Sequence, residues 1–436
     1  MVTNGRGAAL KQVSLSGTGI RFDGGADNDT SQLVALIVAL LPLVSSTAQA
    51  QLALHVHLQE LTPRPEETFS PLDGERQNNQ FGRSVVIRNG LAFIGMPAAM
   101  TTGQVAVFTQ GATGWVRTAT IFASDRTTDD EFGWAISFRD GLLVVGSNRA
   151  AYVYKRVNGV WREQQKIVPP AADGLNVVGG LKHEGGVLAI VAFSSSDSRH
   201  AIYVYEQDAN ARFVHRARLM TSNADGFPFA IDMTKAIVVV GTHGAAYIFG
   251  RNSSGQWVKR QQLIPSSPPH GSYGHVVAVD SGMILVAAPG AGFNTGDATG
   301  EVYVFQPGAT RYVETHRLTS LHGGGPAGNL FGSTLAISDK YIAAGSADIP
   351  DIEDNPPAEV TTYLREGSSL RLLGAIDTKD TGPTLARRPT SIDIANNLLL
   401  VGSAFDESCS HYDDFCEPTG IHIGEVNLFR LNQFKP

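Results

Sequence analysis

The chain has 436 residues, 47 of them glycine, well above the usual share of about 7%. Charged residues make up only 17% and hydrophobic residues 42%, enough for a large core, which excludes disorder over most of the chain. A bias to Gly, Val, Thr, Ser and aromatics excludes a helix bundle or coiled coil. A net charge of -7 argues against broad phosphate-driven binding of nucleic acid.

Residues Leu33 to Val44 read LVALIVALLPLV. Such a run is too short to cross about 30 Å of hydrocarbon as a helix. Ala48 and Ala50 in the following SSTAQAQ form an A-x-A cleavage pattern. This is the layout of a secretory signal peptide cut after Ala50. The preceding residues 1 to 30 are long, polar and carry Asp23, Asp27 and Asp29 where a signal peptide is basic, so the expected translation start lies downstream of Met1. Region 1–50 is therefore assigned to export, and 51–436 to one mature domain that is secreted, periplasmic or at the cell surface. No later run reaches the length of a membrane helix, and no stable membrane insertion is expected.

From residue 81 onward the sequence repeats. FGRSVVIRNGLAFIG starts at Phe81, FGWAISFRDGLLVVG at Phe132, FPFAIDMTKAIVVVG at Phe227, YGHVVAVDSGMILVA at Tyr273 and FGSTLAISDKYIAAG at Phe331. Weaker copies of the same length start at Val177 and Arg388. Seven copies thus recur at a period near 50, the mark of a repeat architecture.

Each copy reads as four short strands. Asn89-Gly90, Asp140-Gly141, Ser281-Gly282 and Asn396-Asn397 are hairpin turns between the first two, because both central positions need φ > 0. The second strand, such as LLVVG or ILVAA, is continuously apolar and so buried on both faces. The third carries alternating aromatics, as in QVAVF and EVYVF, and the fourth opens on Trp115, Trp161, Phe213, Trp257 or Tyr312. The three recurring tryptophans sit at a fixed phase, as packing demands, and are assigned to blade packing. These units predict an all-β, seven-bladed β-propeller of four-stranded blades. The last copy stops after its third strand, and residues 55–63, HVHLQELTP, resemble the fourth strands VKRQQLIP and WREQQKIVP. The N-terminal segment is therefore expected to complete the last blade and close the ring.

The pairs Phe81-Gly82, Phe132-Gly133, Phe331-Gly332 and Tyr273-Gly274, with Gly95-Met96-Pro97 and Ala287-Ala288-Pro289, resemble the FG-GAP repeat of integrin-α-like β-propellers, a family that includes many secreted bacterial proteins. The resemblance covers Phe81 to the C-terminus and implies the same propeller. Integrin-type blades often carry an Asp-rich calcium loop between strands one and two. Here those turns are too small for a loop of several oxygen ligands, so no metal or cofactor is assigned.

In a propeller, the connections between strands two and three and those between blades emerge on one face. That loop-rich face is the expected binding surface. The longest insertions are residues 290–300, 346–358 and 403–420. Two of them are acidic, and Asp351, Asp354, Asp406, His411, Tyr412 and Asp413 are the candidate ligand-binding residues. Cys409 and Cys416 span CSHYDDFC, and an exported protein is expected to join them in a disulfide that staples this loop.

There is no G-x-S-x-G, H-E-x-x-H or P-loop pattern. His183-Glu184 falls beside a hairpin turn with no partner motif. The expected function is an exported module that binds a protein or carbohydrate. The first alternative is an extracellular polysaccharide hydrolase or lyase drawing on His270, His275, His322 and His411. The second is a structural spacer in a surface assembly.

Overall fold

The computed structural model describes residues 12–16, 19–23, 65–72, 79–170, 175, 177–194, 200–219, 228–266, 272–289, 300–321, 330–347, 358–377, 389–404 and 424–433. The chain divides into two compact units, Met1–Glu60 and Leu61–Pro436. In the first, Gln12–Ser16 and Gly19–Asp23 pair as an antiparallel hairpin. The apolar run at 33–44 lies outside the described residues.

The second unit contains seven four-stranded antiparallel sheets. Blade 1 comprises Val85–Arg88, Leu91–Met96, Gln104–Gln110 and Trp115–Ile121; blade 2 comprises Ala135–Arg139, Leu142–Gly146, Ala151–Val157 and Val160–Ile167. Blade 3 comprises Val177–Glu184, Val187–Phe193, His200–Gln207 and Phe213–Leu219; blade 4 comprises Pro228–Met233, Ile237–Thr242, Ala245–Arg251 and Trp257–Leu263. Blade 5 comprises Val276–Asp280, Met283–Ala288, Glu301–Pro307 and Tyr312–Leu318; blade 6 comprises Thr334–Ile337, Tyr341–Gly345, Glu359–Glu366 and Ser369–Asp377. Blade 7 comprises Ser391–Ala395, Leu398–Ser403, Glu425–Arg430 and, from the other end of the chain, Glu67–Phe69. First strands lie against first strands from blade to blade, through blade 7 and back onto blade 1. The ring is closed, with the first strands innermost.

The turns follow from their residues. Asn89 and Gly90 have φ of 53° and 70°, Asp140 and Gly141 52° and 74°, and Ser281 and Gly282 46° and 77°. Two successive positive φ values give the I′ turn, whose twist matches that of the flanking strands. Second strands are enclosed on both faces, as Met283–Ala288 is along its whole length. Fourth strands alternate at the rim, as in Tyr312–Leu318. Register shifts between third and fourth strands recur at Phe108, Tyr154, Tyr205, Phe249, Phe305 and Tyr363. A bulge sharpens local twist, and a large aromatic stands at each one.

The N-terminal segment closes the ring as expected; residues 55–63, singled out for that strand by their likeness to other fourth strands, lie outside the described residues. The closing strand is Glu67–Phe69, with Thr68 opposite Asn427. Phe69 is buried and meets Phe108 and Trp115 edge-to-face at 4.8 and 5.8 Å. Glu66 pairs with Arg430 across the same junction.

Neighbouring blades touch backbone to backbone at the Phe-Gly pairs. Phe81, Phe132 and Phe331 are fully buried. Gly133 (φ 100°) donates its N–H to Gly146 O at 3.0 Å, at the end of its own blade's second strand. A methyl group on Gly133 would lie 2.7 Å from Gln104 O, and one on Gly95 would lie 2.1 Å from Gly133 O. Both contacts join blade 1 to blade 2. At Gly141 (φ 74°) nothing lies within 4 Å of such a group. Gly141→Ala should therefore cost only the left-handed backbone, about 1–2 kcal/mol. Gly133→Ala should cost roughly 2–5 kcal/mol, because overpacking is added to that strain. Urea unfolding of the two variants checks the order.

Candidate functional site

Topology assigns the faces. Each first strand runs towards its tight turn, so the turns between strands one and two and between three and four share one face. The connections between strands two and three and between blades share the other. Connections on the second face are not uniformly long. In blade 4 only His243-Gly244 separates Thr242 from Ala245, whereas blades 5, 6 and 7 carry 289–300, 346–358 and 404–424 there.

Asp351, Asp354, Asp406, His411, Tyr412, Asp413, Cys409 and Cys416 all lie outside the described residues, as do His270 and His322. The strand ends flanking their connections are described. Glu359, at the start of the third strand of blade 6, is fully buried. It accepts hydrogen bonds from Ser320 Oγ (2.7 Å), Leu321 N (3.1 Å) and Thr361 Oγ1 (2.9 Å). The same position holds Glu301 in blade 5, which accepts from Tyr303 Oη at 2.5 Å and pairs with Arg317 at 3.2 Å. In blade 7 it holds Glu425, which accepts from Asn427 Nδ2 at 2.6 Å. A carboxylate thus anchors the end of each long connection, and the recurring Glu-Val of GEVYVF, AEVTTY and GEVNLF is its sequence signal.

His275 is exposed on this face at the start of blade 5. Its pKa is lowered by desolvation and, secondarily, by neighbouring His243. His183 has a structural role. It is 2% exposed, with Nδ1 at 3.0 Å from Ser137 Oγ and Nε2 at 3.0 Å from Arg139 O. The carbonyl requires the proton on Nε2, which leaves Nδ1 to accept from the Ser137 hydroxyl. Both partners belong to blade 2, so the ring clasps blade 3 to it. Trp115 and Trp161 pack as expected: Trp161 meets Phe93 of blade 1 and Phe138 of blade 2 edge-to-face at 5.4 and 6.0 Å. Trp257 packs on the core and donates its Nε1–H to Glu206 of blade 3 at 2.9 Å.

At the loop-face ends of the innermost strands, the residues after the Phe-Gly pairs approach the axis. Here the guanidinium of Arg83, entering blade 1, lies 4.0 Å above the ring of Trp134, entering blade 2. The reading of long loops alone did not find this pair. Its signal was the divergence of the residue after each Phe-Gly or Tyr-Gly: Arg83, Trp134, His275 and Ser333.

The FG-GAP repeat profile matches residues 115–156. That stretch runs from the fourth strand of blade 1 into the third strand of blade 2 and contains Phe132-Gly133. The chain is a seven-bladed β-propeller, one stretch of which is similar to the FG-GAP repeat. No curated protein matches the chain. Among solved structures, it is similar to a functionally unknown protein from Desulfotomaculum acetoxidans, at 11% identity over 68% of this chain and 85% of that one, with a TM-score of 0.46. It is also similar to a structure described as the extracellular domain of a hybrid two-component system from B. thetaiotaomicron. There the identity is 12% over 79% of this chain and 39% of that one, with a TM-score of 0.47.

Burial lowers the His183 pKa from 6.5 to about 4, opposed chiefly by its bond to Arg139 O. The unfolded chain takes up this proton near pH 6.5 and the native one near pH 4. The histidine's contribution is therefore intact above pH 6.5 and is lost as pH falls from 6.5 to 4, by on the order of 3 kcal/mol. His183→Gln should be less stable than wild type at pH 7.5, yet lose about 2–3 kcal/mol less on moving to pH 4.5. Urea midpoints at the two pH values measure this difference.

Proposed function

We propose that this propeller is an exported binding module that presents its loop-rich face to a protein or glycan. One observation carries the reading. The described turns between strands one and two hold two or three residues, while the connections of blades 5 to 7 on the opposite face reach 12 or more. A rigid ring with its insertions on one face is the usual arrangement for recognition. Buried Glu359 and partly buried Glu301 and Glu425 give those insertions fixed ends. The signal-like run at 33–44 and the cleavage pattern at Ala48 and Ala50 support export. N-terminal sequencing of protein recovered outside the cell should begin at Gln51; a chain retained inside and still carrying 33–44 would remove the export reading.

Replacing 291–299, 348–357 and 405–423 with short Gly-Ser links should leave the unfolding temperature within a few degrees. The same change should abolish retention of whatever partner the native protein captures on a glycan array or from culture supernatant. Undiminished capture by a folded, loop-replaced protein would move the binding surface elsewhere.

A further inference from the structure

At the mouth of the ring on the loop face, Arg83 and Trp134 form a pair whose chemistry no part of the scaffold uses. Arg83 is partly buried, and its Nε is enclosed with no hydrogen-bond partner. Its guanidinium carbon sits over the indole of Trp134, 4.0 Å from the ring centroid. Among the described residues its side chain makes no hydrogen bond and no ion pair. Arg88, Arg139, Arg149, Arg251, Arg317, Arg371 and Arg430, by contrast, each have a carboxylate partner.

Burial lowers the pKa of Arg83, and Glu131 opposes this through space without forming a bond to it. A desolvated cation without a counter-charge is costly to hold. A carboxylate arriving from outside removes that cost and meets a guanidinium already held over the Trp134 ring. The surrounding backbone is held from both sides. Gly82 O accepts from Thr390 Oγ1 and Ser391 Oγ of blade 7 (3.1 and 2.8 Å), and Ser84 Oγ donates to Gly133 O of blade 2 (2.7 Å). Little order remains to be imposed on binding.

We propose that Arg83, stacked on Trp134, is the central anchor of the loop face and receives a single Asp or Glu side chain of a protein partner. This rests on the binding role proposed above and names the chemistry at its centre. A protein carboxylate fits better than an acidic polysaccharide. The chain carries a net charge of -7, and the connections starting at Ser346 and Ala404, with their Asp and Glu residues, leave and return on this same face. A dense polyanion meets that charge as repulsion, whereas one acidic side chain meets chiefly Arg83. Arg and Trp near the centre of a protein interface are also the residues on which binding energy concentrates.

The chain has four tryptophans, so indole ¹⁵N–¹H spectra of the intact protein are simple. Trp134→Phe assigns the signal. Titration with N-acetyl-glutamate N-methylamide should shift the Trp134 resonance saturably, the glutamine analogue should not, and added salt should weaken the effect. Arg83→Met, which keeps the apolar stem over the ring, should weaken the response about tenfold or more, with unchanged unfolding temperature. Arg83→Lys should fall between, because an ammonium lacks the fork. An equal response to the glutamine analogue, or an undiminished one in a folded Arg83→Met protein, overturns the proposal. A response to glucuronate with none to the glutamyl probe also overturns it and assigns the site to an acidic sugar. The loop-replaced protein keeps Arg83 and Trp134 and should still shift. Failure of the broader binding reading is thus distinguished from failure of this one.

Discussion

The structure depends on one steric constraint: adjacent blades approach until their backbones touch, and only hydrogen fits between them. Gly95 against Gly133 O, Gly241 against Gly274 O (2.0 Å) and Gly402 against Gly82 O (2.4 Å) are the same contact at three seams. Each joins the end of one blade's second strand to the Phe-Gly or Tyr-Gly of the next. The bulky half of the motif fills the wedge beside the contact, as fully buried Phe81, Phe132 and Phe331 show. Seven sheets can therefore face one another with interiors at crystal-like density, and the ring needs no helix to cover its faces.

Polar clasps reinforce the seams. Asp393 of blade 7 accepts from Ile87 N of blade 1, and Asp232 of blade 4 from Val279 N of blade 5, each at 2.8 Å. Ser137 of blade 2 accepts from His183 N at 3.2 Å. At the rim, Gln165 brackets Phe213 by accepting from its N–H and donating to its carbonyl (2.9 and 2.8 Å), and Gln261 does the same to Tyr312 (2.9 and 2.7 Å). Seams 2–3 and 4–5 are thus laced at both inner and outer strands. A glycine contact that tolerates no side chain is supplemented by clasps that tolerate several, so the copies diverge in sequence while the geometry repeats.

The ring was legible because its signals are local and repeated. Asn-Gly and Asp-Gly turns, doubly apolar second strands and phased aromatics each follow from steric demands that act within one blade. The closing strand was harder. Gln165-Lys166-Ile167-Val168-Pro169 and Gln261-Gln262-Leu263-Ile264-Pro265 share a pattern met by both Gln59–Pro63 and Glu67–Pro71. Distance decides between them. Pro265 lies 8 residues before Tyr273, Pro71 lies 10 before Phe81, and Pro63 lies 18 before it; short connections are the rule in compact domains. The Arg83–Trp134 pair left only a divergence at one repeat position, which marks the residues but not their contact. Its residues are 51 apart in sequence and meet only because two blades place the same repeat position side by side. Asp351, Asp354, Asp406, His411, Tyr412 and Asp413 were chosen for chemistry and loop length, which identify a face without arranging anything on it.

Rim and mouth are connected through blade 7. Its long connection starts after Ser403 and returns at Gly424, where a methyl group would lie 1.9 Å from Phe81 O. At its other end, Gly402 abuts Gly82 O. Both ends therefore press on Phe81-Gly82, the residues immediately before Arg83. The third strand of the same blade pairs with Glu67–Phe69, so the position of that connection also depends on closure of the ring by a segment more than 350 residues away in the chain. The ends of the blade 7 connection thus rest on the same backbone that carries Arg83, and ring closure holds both in one frame. In the proposed reading such a face needs no deep pocket: the cation of Arg83 would set register, and the insertions, whose ends Glu301, Glu359 and Glu425 anchor, would set what else a partner must match.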